Sequence, residues 1–157
     1  IIASSDVYFF YSLNSVKLQQ NSKEIWESLN IPTQRCATLV HPTAVVSKFV
    51  NLKPGVAIQP LVNIGPGVSV GTNVHIFAQA MIGHHSSLGD FSYVSNNACI
   101  GGYCKLEEGA YVGTNATLIE NVVLGSWSLV GMGSVVLCNV GSKERVVGNP
   151  ARLIKKK

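Results

Sequence analysis

From Val46 to Val136 an aliphatic residue recurs at every sixth position without interruption. The series runs Val46, Leu52, Ile58, Ile64, Val70, Ile76, Ile82, Leu88, Val94, Ile100, Leu106, Val112, Leu118, Leu124, Val130 and Val136. Two residues before each lies a second series, from Ala44 and Val50 through Ser86, Ser92, Ala98 and Cys104 to Ser134, and every member is small or Val. Side chains alternate across a strand, so residues i and i−2 share one face, and a six-residue period holds one short strand plus one turn. Three hexads close a triangular coil of about 18 residues, and successive coils stack at ~4.8 Å through parallel pairing. The pattern predicts about five coils of a parallel β-helix. The aliphatic series fills its interior, and the narrower i−2 sites take small groups, Cys104 among them. Gly follows the aliphatic residue in eight hexads, Gly65, Gly83, Gly101, Gly113 and Gly131 among them, and is read as supplying a corner backbone that other residues resist. No insertion breaks the register, so no long loop is expected to leave the helix between residues 46 and 136.

Ahead of the repeat the periodicity changes. Asp6 to Tyr11 reads as a strand, Ser22 to Leu29 as a short helix stopped by Ile31-Pro32, and Arg35 to Val40 as a second strand. The chain is therefore divided into a partial α/β segment (residues 1–40), a β-helix domain (41–140) and a basic carboxyl-terminal tail (141–157). No GxGxxG motif accompanies the first segment, so a nucleotide-binding half is expected to be absent or truncated.

Composition narrows the function classes. With 46% hydrophobic and 13% charged residues among 157, a packed domain is expected and disorder is not. The net charge of +4 resides in Arg152, Lys155, Lys156 and Lys157, leaving no basic stripe interleaved with aromatics, so no nucleic acid is expected as a partner. No apolar run approaches the ~20 residues of a membrane span, and the first residues lack the basic region of a signal peptide. A cytoplasmic protein without a membrane partner is expected. Cys36, Cys99, Cys104 and Cys138 form no CxxC pair and no zinc spacing, which predicts reduced thiols and no metal.

Candidate chemistry emerges when residues 18 apart are stacked at one corner. One row reads Pro66, His84, Gly102, Glu120, Cys138, and the next Gly67, His85, Tyr103, Asn121. His84 thus stands beside a residue without a side chain, where a ligand could reach both the imidazole and a backbone N–H. Spacing by itself leaves a functional base and a solvated corner both open for His84. His41 precedes Pro42 and reads as a turn residue, and His75 points out of its strand and reads as a surface residue. On the face carrying Ile82 the outward row, Val45, Asn63, Met81, Cys99, Thr117 and Val135, is unusually apolar for solvent. The next face, Asn51, Ser69, Ser87, Lys105 and Val123, reads as exposed.

The tandem [LIV]-G-x-x-[small]-x pattern resembles the hexapeptide-repeat acyltransferases, whose coils are left-handed. The fold class this implies is all-β, a left-handed parallel β-helix of hexapeptide repeats with a small partial α/β segment at the amino terminus. The stretch Ile82-Gly83-His84-His85-Ser86-Ser87-Leu88-Gly89-Asp90-Phe91 is similar to one branch, the sialic-acid O-acetyltransferases and amino-sugar-nucleotide N-acetyltransferases. Tyr111-Val112-Gly113-Thr114-Asn115 and Gly148-Asn149-Pro150-Ala151-Arg152 carry the same resemblance downstream.

The resemblance implies acetyl-CoA as co-substrate and a sugar acceptor, nucleotide-linked, acetylated at an amine or a hydroxyl. It implies His84 as general base with His85 beside it, and Gly102, Gly113 and Gly131 along the acetyl-CoA groove with Tyr93 among the binding positions. It also implies a homotrimer with sites in the grooves between adjacent β-helices. Members of the branch commonly carry Asp or Glu where this chain has His85, and often a second His where it has Tyr93. Because the thiolate of CoA leaves readily, no covalent intermediate on Cys99 is required. Two other classes stand beside this reading. A hexapeptide-repeat carbonic anhydrase needs three converging zinc-binding histidines, and His75, His84 and His85 lack that spacing. A catalytically inactive structural or binding β-helix is distinguished by its failure to bind acetyl-CoA.

Overall fold

The computed structural model describes residues 7–12 and 21–154, and among them the chain winds into a parallel β-solenoid of three flat sheets. Each strand from Val45–Val46 to Val135–Val136 is two residues long, and they follow one another at a spacing of six. The register is that of the 18-residue coil: Met81 pairs with Cys99 and Ile82 with Ile100. The His75 sheet has eight strands, from Leu39–Val40 to Arg152–Leu153; the Met81 sheet has six and the Ser87 sheet five. No helix and no excursion interrupts residues 46–136.

Both series point inward as the period requires. Ile64, Ile76, Ile82, Ile100, Leu106, Leu118 and Leu124 are at most 1% exposed. Each such side chain contributes roughly 1.5–3 kcal/mol by leaving water. Cys104 is buried in the i−2 series, as its size predicts, and its thiol donates to the Ile119 carbonyl at 3.2 Å. Where that series carries Ser, the hydroxyl can tie coils together: Ser86 Oγ donates to the Gly101 carbonyl at 2.9 Å and accepts the Cys104 N–H at 3.0 Å.

The glycines that follow the aliphatic residues have a different reason from the one expected. Positive φ falls two residues later, at His85 (57°), Tyr103 (57°) and Asn121 (64°). The glycine itself is excluded volume: a Cβ on Gly83 would lie 2.5 Å from Gly102 N, and one on Gly101 would lie 2.6 Å from Glu120 N. Close stacking of one corner on the next, not an unusual backbone conformation, selects Gly there.

The amino-terminal elements follow the expected order with altered extents. The helix, α1, spans Ser22–Ser28. The first strand is reduced, among described residues, to a single parallel bridge between Phe9 and Cys36, and Asp6 lies outside the described residues. The second expected strand splits into a 3-10 turn at Thr33–Arg35 and the strand Leu39–Val40, which is already the first rung of the His75 sheet. This segment packs on the β-helix through aromatic rings: Phe10 lies 5.3 Å from His75, and Tyr11 contacts both Trp26 and Phe91.

His75 is therefore not a surface residue. Its side chain leaves the coil outward, but the amino-terminal segment covers it and leaves the residue 4% exposed. Burial pulls its pKa below the ordinary histidine value, opposed by a hydrogen bond with the Tyr11 backbone.

The segment expected as a basic tail carries strands of its own. Arg145–Val147 extends the His75 sheet beside Leu129–Val130, and Arg152–Leu153 folds back antiparallel on it. Lys155, Lys156 and Lys157 lie outside the described residues.

Candidate active site

The corner joining the Met81 sheet to the Ser87 sheet carries His84 and His85. In an extended strand two successive side chains would point to opposite faces. Here φ of 57° at His85 turns the chain, so both rings project outward together. Their Nδ1 atoms lie 3.1 Å apart, a hydrogen bond, with the ring planes at 82°.

Each ring sits over a bare neighbour. A Cβ on Gly102 would fall 2.9 Å from both Cε1 and Nε2 of His84, so the imidazole leans into the space that glycine leaves open. A Cβ on Gly67 would fall 2.7 Å from the His85 ring. On its other face His85 stacks on Tyr103, with centroids 5.1 Å apart and planes at 13°, and Tyr103 meets His84 edge-on at 5.0 Å. The two rows drawn from the 18-residue coil are thus real neighbours: Tyr103 N donates to the His84 carbonyl, and Asn121 N to that of Gly102.

This arrangement has defined acid–base consequences. Only one Nδ1 of the pair can carry the shared proton, because a bond needs one donor and one acceptor. When His84 Nδ1–H donates to His85, the lone pair of His84 is on Nε2, at the Gly102 side, where it can accept a proton. In that arrangement His85 Nδ1 is the acceptor that fixes the His84 tautomer. The backbone N–H groups of His84 and Gly102 donate to no described group. Ser86, which the repeat marks only as a small core residue, buttresses the site by joining the His84 coil to the Gly101 carbonyl and the Cys104 N–H. A hydroxyl where Ala or Val would fill the same space was the available signal.

The other expected site residues lie elsewhere in this chain. Gly113 and Gly131 form the corner between the His75 and Met81 sheets, at the opposite edge of the Met81 sheet from His84. Their N–H groups are used in the ladder, to Val130 and Val146 carbonyls. Tyr93 belongs to the His75 sheet, stacked on Tyr111 at 4.7 Å, and burial first, then Tyr111, pushes its pKa up to about 12. Cys99 is half-buried between Met81 and Thr117 on the outward side of the Met81 sheet. Two grooves of about 540 and 610 Å³ flank the Ser87 sheet and α1, and neither reaches His84. The imidazole stands on an open corner with one wall. Among the described residues no group of three or more His, Cys, Asp or Glu side chains is gathered to hold a metal ion.

Comparison with solved structures returns chains of the same fold, acetyltransferases among them. WeeI from Acinetobacter baumannii AYE superimposes with a TM-score of 0.85 at 22% identity, over 98% of this chain and 74% of that one. The acetyltransferase domain of PglB from Neisseria gonorrhoeae FA1090 gives 0.79 at 24% identity, over 88% of this chain. The same domain has also been solved in complex with acetyl coenzyme A. PerB from Caulobacter crescentus, solved with CoA and GDP-perosamine, gives 0.63 at 23% identity, over 87% of this chain. The chain spans 66% of the length of the PglB acetyltransferase domain and of PerB. At these identities the likeness establishes the fold. No curated protein sequence matches the chain significantly. The family model of the GMPPB C-terminal domain matches residues 35–149, most of the chain and nearly all of the solenoid, and the chain belongs to that family.

Proposed function

We propose that the protein transfers an acetyl group from acetyl-CoA to an amine or hydroxyl of a sugar, in a site centred on His84. The observation that carries this reading is the His84 imidazole itself, tethered at Nδ1 to His85 at 3.1 Å and leaning over the bare Gly102 beside unused N–H groups. The likeness to acetyltransferases solved with acetyl coenzyme A, CoA and GDP-perosamine supports acetyl-CoA as co-substrate and a nucleotide-linked sugar as acceptor.

In this mechanism the acceptor atom attacks the thioester carbon while His84 Nε2 takes its proton. The carbonyl oxygen gains the charge and is held by backbone N–H groups near Gly102. Collapse of the tetrahedral intermediate breaks the C–S bond, and the proton returns from His84 to the departing CoA thiolate. His85, accepting from His84 Nδ1–H, holds the base in the productive tautomer.

The open corner needs a second wall, and the outward face of the Met81 sheet supplies the means. Val45 is 64% and Met81 46% exposed there, an apolar row that a second copy would cover. In a homotrimer the groove between adjacent β-helices would bring Gly113, Gly131 and Tyr93 of one copy toward His84 of another. Four free cysteines accord with a reducing compartment such as the cytoplasm, and no helix among the described residues is long and apolar enough to cross a membrane.

The test combines calorimetric titration of acetyl-CoA with release of free CoA thiol in the presence of amino-sugar nucleotides. His84→Ala should lower kcat by roughly 10²–10⁴ while acetyl-CoA affinity is retained. A wild-type protein that binds no acetyl-CoA refutes the reading. Binding without transfer to any acceptor identifies a non-catalytic β-helix instead.

A further inference from the structure

One carboxylate in the His84 column has no role in the fold. Glu120 occupies the same corner position as His84, two coils along, with Gly102 between them. It is exposed, and it makes no hydrogen bond or ion pair among the described residues. Asp90, Glu107, Glu108 and Glu144, by contrast, each take an N–H, a hydroxyl or a lysine. Rungs stack at ~4.8 Å, so the His84 and Glu120 backbones are roughly 10 Å apart. The imidazole already leans toward the gap, reaching within 2.9 Å of the point where a Gly102 Cβ would be. With the ring reaching the Gly102 level and Glu120 one rung beyond it, a small polar group in the gap could hydrogen-bond to both.

Resting on the acetyltransferase reading, we infer that Glu120 is a specificity-determining residue that anchors the acceptor as a primary amine across the Gly102 gap. Amine and hydroxyl acceptors differ in the number of hydrogens they can donate. An amine offers two N–H groups and one lone pair; two acceptors, His84 Nε2 and the Glu120 carboxylate, take both hydrogens and leave the lone pair free for the thioester carbon. A hydroxyl offers one O–H, which satisfies one acceptor and leaves the other without a partner. The carboxylate also attracts the ammonium form in which an amino sugar arrives, whereas it gives nothing comparable to a neutral alcohol. During transfer one amine proton passes to His84 and the other remains on the amide nitrogen, still facing Glu120.

The experiment uses the full chain and a panel of UDP- and GDP-linked sugars in pairs that differ only by amine or hydroxyl at one carbon. Release of CoA thiol gives kcat and KM for each pair. The wild type should favour the amine member by at least about tenfold in kcat/KM. Glu120→Gln should lower kcat/KM for the amine about tenfold to a hundredfold, chiefly through KM, and Glu120→Asp should recover part of it. Acetyl-CoA affinity should be unchanged in both variants, which a general structural defect would not leave intact. Unaltered amine kinetics in Glu120→Gln, or a wild type that prefers the hydroxyl member, overturns the assignment while transfer itself persists. Absence of transfer to every sugar overturns the acetyltransferase reading along with it, and the two failures are thereby distinct.

Discussion

Gly102→Ala puts the geometry of the corner to a direct test. The added methyl would lie 2.9 Å from Cε1 and Nε2 of His84 and 3.3 Å from Cδ2, whereas ordinary contacts begin at 3.4 Å. The ring must therefore withdraw by at least half an ångström at its reactive edge, and by about one for a relaxed contact. That movement also strains the 3.1 Å bond to His85. A displacement near 1 Å at a reacting centre can cost about a hundredfold. The expected result is a kcat reduced by roughly that factor, with Tm and acetyl-CoA affinity little changed. Gly102 does not use a positive φ, so the backbone tolerates alanine. Gly133→Ala is the control: its φ is +66° and a Cβ there meets nothing within 4 Å, so it should cost about 1 kcal/mol of stability and leave kcat alone. Full activity in Gly102→Ala would show that His84 does not work from this orientation.

Three further changes probe the surroundings. His85→Ala removes the tautomer-fixing partner and should lower kcat by about tenfold, far less than His84→Ala, while His85→Glu should maintain or raise it by favouring the imidazolium; a larger loss from His85→Ala than from His84→Ala would reverse the assignment. Met81→Glu places a charge in the apolar outward row and should convert a three-chain species in sedimentation into single chains, with loss of transfer; an unchanged distribution would place any interface elsewhere. Burial holds folded His75 below the ordinary histidine value of about 6.5, so the unfolded chain binds the extra proton between those two values. Stability from this group is complete above about pH 6.5 and declines as pH falls toward the folded value, so His75→Phe should flatten the pH dependence of the urea midpoint over that window.

The solenoid was legible because every hexad repeats one local rule: an aliphatic at i, a small residue at i−2. Ile82 and Ser86 need no distant contact to be placed inward. Stacking at 18 residues then located Gly102 beside His84 and Tyr103 beside His85 from arithmetic alone. The covering of His75 was not legible, because it depends on Phe10 and Tyr11, more than 60 residues away in sequence. Nor was the hairpin formed by Arg145–Val147 and Arg152–Leu153: the six-residue series ends at Val136, and the coil that follows is shortened, Val130 pairing with Val146 at an offset of 16. The Nδ1–Nδ1 bond escaped for a third reason. Whether adjacent side chains meet is decided by one dihedral angle, and a pattern of residue types does not encode φ at His85.

The repeat also explains why chemistry gathers at a corner. Positions i and i−2 are committed to the interior, and the position after i is Gly in half of the hexads, where the corner stacked upon it leaves no room for a Cβ, as at Gly83 and Gly101. The outward strand position lies on a flat sheet open to a partner surface. What remains are the two turn residues, and at the corner after the Met81 sheet His84 and His85 project outward. In that column Pro66, His84, Gly102 and Glu120 follow one another at the same corner and differ in what they present. Vertical stacking then acts as a ruler: one rung, ~4.8 Å, separates His84 from Gly102, and two rungs separate it from Glu120. A base, a gap and a carboxylate at that spacing bracket a single reacting atom. Moving Glu120 by one rung would close the gap, and moving it by one residue along the chain would turn it toward the Tyr103 column. For that reason the exchange variant Glu120→Asn with Asn121→Glu, which preserves composition and net charge, should lose the amine preference as fully as Glu120→Gln does. Its measurement against the same paired sugars separates the position of the charge from its mere presence, and retained preference would mean that a diffuse negative field, not a placed carboxylate, selects the acceptor.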